Sequence, residues 1–130
     1  MRMEANSKRK VDEKVLFPEL SYVLTGILFS AHNELGPYAR EKQYGDMAAK
    51  KLKEIGIPFQ REVRISDSGN IIDFIIDSKI ALELKSVRQL SSDSYRQIQN
   101  YLQHSRLKLG ILVNFRSRYI KPTRIIRIDS

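Results

Sequence analysis

Apolar periodicity begins only at Pro18. From there Leu20, Val23, Leu24, Ile27, Leu28, Ala31 and Leu35 recur at three- and four-residue steps, the spacing of one helical face. Gly36-Pro37 ends that helix. A second helix is expected from about Arg40 to Ile55, with Tyr44, Met47, Ala48, Leu52 and Ile55 on its apolar stripe and Gly56 as its stop. After Pro58 the period changes to two. Phe59, Arg61, Val63 and Ile65 point one way while Gln60, Glu62 and Arg64 point the other, which reads as a strand with one solvated face. Asp67-Ser68-Gly69-Asn70 is a turn signal. Two apolar runs follow, Ile71 to Ile76 and Ile80 to Ser86, joined by Asp77-Ser78-Lys79, and together the three strands predict an antiparallel meander. Helical spacing returns over Ser91 to Ser105, with Tyr95, Ile98 and Leu102 on one side and Ser91 or Ser92 placed to cap. Leu107 to Phe115 reads as a buried strand and Arg124 to Ile128 as an edge strand.

The order α-α-β-β-β-α-β-β, with short connections, predicts one α/β domain over residues 16–130 whose mixed sheet is flanked by helices. Residues 1–15, with the Lys8-Arg9-Lys10 cluster, are expected to form a flexible basic arm.

Composition narrows the chemistry. There are no cysteines, so disulfides, thiolate zinc sites, iron–sulfur clusters and cysteine nucleophiles are excluded together. With two histidines, His32 and His104, a histidine-rich metal site is excluded as well, and any metal must be held by oxygen, as suits magnesium or manganese. The net charge of +8 predicts attraction to a polyanion. Arg116, Arg118, Lys121, Arg124 and Arg127 form a C-terminal basic cluster that fits either phosphate contacts or a solvated face, with phosphates slightly favoured. No apolar run approaches a membrane span and no secretory leader opens the chain, so a cytoplasmic protein without membrane contact is expected.

Two carboxylates interrupt apolar strands, where a charge is costly unless something positive compensates it: Asp73 and Glu83. A hairpin centred on Ser78 puts Asp73 directly opposite Glu83, and like charges there repel unless a cation lies between them. Lys85 follows Glu83 at the strand period and shares its face. An acid pair beside a lysine is the layout for metal-assisted phosphodiester hydrolysis. On the residues alone, the same three side chains also fit a solvated ion-pair cluster, and Glu41 fits a helix-surface charge.

The segments Asn33-Glu34-Leu35-Gly36-Pro37, Glu41-Lys42-Gln43-Tyr44, Ile72-Asp73-Phe74, Glu83-Leu84-Lys85 and Leu107 through Phe115 resemble the PD-(D/E)xK nuclease superfamily, with its restriction-endonuclease-like core. Within it the chain is similar to the GxxExxY family of small nuclease-like proteins, from about Leu20 to Ile128. The resemblance implies Asp73 and Glu83 as magnesium (or manganese) ligands, Lys85 as the catalytic lysine, and Glu41 as a helix glutamate approaching the metal from the side. Gln97 and Tyr101 resemble the Q-x-x-x-Y pair with which RecB-like nucleases line the site from a helix. Tyr38 stands where the GxxExxY motif has glycine, and Ile72 where the older superfamily motif has proline. A metal-dependent nuclease acting on nucleic acid, DNA more than RNA, is implied, with a homodimer as one form of assembly. The alternative is a non-cleaving nucleic-acid-binding or assembly module on the same fold.

Overall fold

Helix α1, Pro18–Leu35, starts with a proline whose missing N–H costs no helical bond, and closes where the Gly36 N–H donates to His32 O with φ at 75°. Helix α2, Glu41–Ile55, opens with the Arg40 N–H donating to the Gln43 side chain and ends at left-handed Gly56. Five strands follow: β1 Phe59–Arg64, β2 Ile71–Ile76, β3 Ile80–Lys85, β4 Leu109–Asn114 and β5 Thr123–Ile126, with helix α3, Ser92–Ser105, between β3 and β4. This computed structural model describes residues 16–65 and 69–129, so the basic arm expected over 1–15 and part of the Asp67–Asn70 turn lie outside the described residues.

Strand order in the sheet is sequential, β1-β2-β3-β4-β5. Every neighbouring pair is antiparallel except β3 and β4, and that parallel pair needs a crossover, which α3 supplies. The result is the α/β architecture with a mixed sheet that the sequence predicted. Leu24, Leu28, Tyr44, Ala48 and Leu52 of α1 and α2 cover one face of the sheet through Phe74, Ile76, Ile80, Leu82, Ile111 and Val113. Ile98, Tyr101 and Leu102 of α3 cover the other through Ile75, Ala81 and Leu112. Among the described residues no helix is long and apolar enough to cross a membrane.

The β2–β3 hairpin has the expected register, Ile76 opposite Ile80 and Phe74 opposite Leu82. Its turn bonds Lys79 N–H to Ile76 O with Asp77 and Ser78 both left-handed, a geometry that matches the twist of paired strands. Strand β1 departs from simple alternation. Phe59 packs on the α1/α2 side whereas Val63 and Ile65 pack on the α3 side, because Glu62 is left-handed (φ 54°) and turns the strand over. Its partner turns over with it, since Phe74 faces α1/α2 and Ile72 faces α3, and Asp73 lies at the reversal. On α3, Ser91 occupies the N-cap position without a side-chain cap bond, and the buried stripe is Ile98, Tyr101 and Leu102, with Tyr95 exposed.

Close approach of α3 to β4 depends on Gly110. A Cβ there would sit 2.7 Å from the Ile98 side chain, itself locked in the core. Gly110→Ala is therefore expected to cost about 1–3 kcal/mol, as overpacking does. Chemical denaturation checks this, and an unchanged midpoint would show that α3 can move away freely.

Candidate active site

Strands β2 and β3 pair only as far as Phe74 and Leu82. Beyond that point side chains replace the ladder: Glu83 Oε1 accepts the Asp73 N–H at 3.1 Å, and Asp73 Oδ2 accepts the Leu84 N–H at 2.7 Å. The two carboxylates thus fill the gap where the strands part, each anchored by the other strand's backbone. Glu83 is only 5% exposed. Burial, then the neighbouring Asp73 carboxylate and its hydrogen bond, push the Glu83 carboxyl up to about 8, against the pull of Lys85. Lys85 Nζ stands 3.4 Å from Glu83 Oε2 and is partly buried.

Such a pair is electrostatically incomplete, because near neutral pH the proton on Glu83 stands in for the positive charge that the two acids need. A divalent cation supplies that charge with the hard oxygen donors it prefers. The residues present fit such an ion. Among the described residues, though, no three His, Asp or Glu side chains converge on one point, so Glu41 does not close a three-carboxylate cage. Its Oε2 accepts the Ser86 N–H at 3.0 Å from the first turn of α2, which ties that helix to the end of β3. Glu41 and Asp73 nevertheless line one cleft of about 210 Å³, shared with Lys42, Gly45, Arg61, Glu62, Phe74 and Leu84.

Gln97 is half-buried on α3, one turn before Tyr101. Tyr101 is buried on the face of the sheet that Ala81 shares, and that burial raises its hydroxyl pKa. Alternation along β3 directs Glu83 and Lys85 to the same face, since Leu82 and Leu84 face the other helices. Tyr44 is core: it stacks on Phe115 at 4.0 Å, and its hydroxyl donates to Gly36 O and accepts from the Ala39 N–H.

Several residues of the site's surroundings were not singled out from sequence. Arg61 reaches the cleft because Gly45 has no Cβ to block it; an added one would lie 2.6 Å from Nη2. It pairs with Asp46 at 2.8 Å, which lowers the Asp46 pKa, and lies over the Phe74 ring. Only the β1–β2 register, Arg61 opposite Phe74, could have signalled this. Asn114 ends β4 and binds Val87 through both N–H and C=O, fixing the loop that leaves Lys85. His32 bonds Ser117 O and so holds the β4–β5 loop.

The crystal structure of SSO0001 is 22% identical over 94% of this chain and 78% of that one, at a TM-score of 0.47. No curated protein matches the chain. A family model described as the PD-(D/E)XK nuclease superfamily matches residues 18–128.

Proposed function

This chain belongs to the PD-(D/E)XK nuclease superfamily, and we propose that it is a metal-dependent nuclease hydrolysing phosphodiester bonds of nucleic acid, DNA in preference to RNA. The observation that carries this reading is the Asp73–Glu83 pair at the parting of β2 and β3, with Glu83 buried and Lys85 beside it. Asp73 and Glu83 would hold magnesium or manganese, which when bound polarises the phosphate and lowers the pKa of an attacking water. Lys85 donates to a non-bridging phosphate oxygen and offsets charge building in the transition state. Glu41 holds a water at the mouth of the cleft, and Arg61 meets the incoming phosphate there. Gln97 and Tyr101 orient the Lys85 side of the site from α3. The segment Tyr38-x-x-Glu41-x-x-Tyr44 supports assignment to the GxxExxY group, although tyrosine stands in for its glycine.

The test is a panel of labelled single- and double-stranded DNA and RNA with magnesium, manganese or chelator. Cleavage that needs the metal supports the reading, and no cleavage of any substrate contradicts it. The net charge of +8 leads to a further expectation for binding in chelator. Affinity should fall steeply between about 50 and 200 mM salt, with a log–log slope that counts several phosphate contacts. Titration by fluorescence anisotropy measures the slope, and a flat line would remove nucleic acid as the ligand.

A further inference from the structure

We propose that Tyr38 and Tyr119, with Arg116 and Arg118, form a stacking platform that takes single-stranded nucleic acid beside the acid pair. The inference rests on the nuclease reading and narrows its substrate to unpaired strands. Large aromatic rings are ordinarily buried at least in part. Here Tyr38 is 80% exposed and Tyr119 is 77% exposed. Each carries a guanidinium over its ring, Arg116 over Tyr38 and Arg118 over Tyr119, both at 5.3 Å. Tyr38 belongs to the corner between α1 and α2, whereas the other three lie between β4 and β5, so the Arg116–Tyr38 contact joins two segments remote in sequence.

Both segments are held from beneath. His32 Nε2 bonds Ser117 O at 2.8 Å, and the Arg116 N–H donates to Asn114 Oδ1 at 3.3 Å. The Tyr44 hydroxyl, donating to Gly36 O while its ring stacks on Phe115, fixes the corner that carries Tyr38. The exposed rings are therefore displayed from anchored backbone, which lowers the entropy lost when a ligand stacks on them. They also stand at the right end of the molecule. Tyr38 is three residues before Glu41, and Arg116 is two residues after Asn114, the β4 partner of Lys85.

The chemistry selects the ligand. Arginines alone would serve any phosphate backbone, duplex included. Open aromatic faces add something only when bases are unstacked and can lie on them, as in single strands, where guanidiniums contribute both cation–π and phosphate contacts.

The experiment measures anisotropy of the full chain with labelled oligonucleotides of one length, single-stranded or blunt duplex, in EDTA so that no cleavage occurs. Single strands should bind more tightly than duplex. Tyr38→Ala and Tyr119→Ala should each weaken single-strand binding about tenfold, within the range for loss of one stacked base, with the salt slope unchanged. Tyr38→Phe and Tyr119→Phe should restore it, and Arg116→Ala should lower the salt slope by about one. Equal or tighter duplex binding, or alanine variants with unchanged single-strand affinity, would overturn the platform. Because binding in EDTA is measured apart from cleavage with metal, the two ideas fail separately. A protein that binds single strands through these tyrosines yet cuts nothing with metal would end the nuclease reading alone, and one that cuts only duplex, indifferent to the tyrosines, would end the platform alone.

Discussion

Asp73→Asn is expected to cut metal-dependent cleavage by about a thousandfold or more, since a ligand that fixes the cation is worth several kcal/mol of transition-state stabilisation. Glu83→Gln should do the same. Lys85→Ala removes one donor to developing charge and should cost about 10²–10³-fold. The amides are the informative substitutions because of what these carboxylates bond to. Asp73 Oδ2 accepts the Leu84 N–H and Glu83 Oε1 accepts the Asp73 N–H. Alanine would leave those amides without partners at about 1–3 kcal/mol each, and the loss of fold would be confused with the loss of chemistry. Asparagine or glutamine keeps an oxygen acceptor in place without an ionisable group. Nucleic-acid binding in chelator should therefore be no weaker in either amide variant, and tighter in Glu83→Gln only above about pH 8, where the wild-type Glu83 is ionised. Rates from single-turnover cleavage and affinities from anisotropy check the two halves. Cleavage surviving in Asp73→Asn would move the active centre elsewhere.

The second large effect is on stability as a function of pH without metal. Glu83 has its pKa raised from 4.5 to about 8 in the folded protein, so the folded state holds a proton that the unfolded chain releases over that interval. Stability from this proton is fully present below about pH 4.5 and is lost as pH rises towards 8. The melting temperature in chelator should accordingly fall across this window, where each kcal/mol lost is worth roughly 4 °C in a chain of this size. Glu83→Gln should flatten the curve and melt above the wild type at pH 8 and higher. Magnesium should reverse the fall in the wild type, because a cation replaces the proton and stabilises the folded state by mass action. Thermal melts at matched ionic strength measure all three curves. A melting temperature that rises from pH 5 to 8, with no difference between wild type and Glu83→Gln, would show that Glu83 is ionised and compensated without metal.

The sequence made the order of elements and the hairpin register legible for a physical reason. Periods of 3.6 and 2 are imposed by burial, and a one-residue slip in β2 or β3 would have sent Phe74 or Leu82 out of the core. From that register the opposition of Asp73 and Glu83 followed by counting. The turnover of β1 at Glu62 was not legible, because a left-handed glutamate leaves no compositional mark. Alternation therefore put Val63 and Ile65 on the wrong face. Nor could periodicity show that the carboxylates would take over backbone hydrogen bonds from the ladder, or that Glu41 would turn to the Ser86 amide. Those depend on where the strands separate. The place of Arg61 in the cleft was not legible either, because it is granted by the missing side chain of Gly45, on another element.

Calorimetric titration of manganese into the metal-free protein at pH 7 tests whether the Asp73–Glu83 gap binds a divalent cation. Repeating the titration in two buffers of different ionisation enthalpy counts the protons released. The expected result is one site per chain that releases a substantial fraction of a proton from Glu83, and that Asp73→Asn and Glu83→Gln each weaken by an order of magnitude or more. Manganese binding without proton release, or of equal strength in both amide variants, would contradict it.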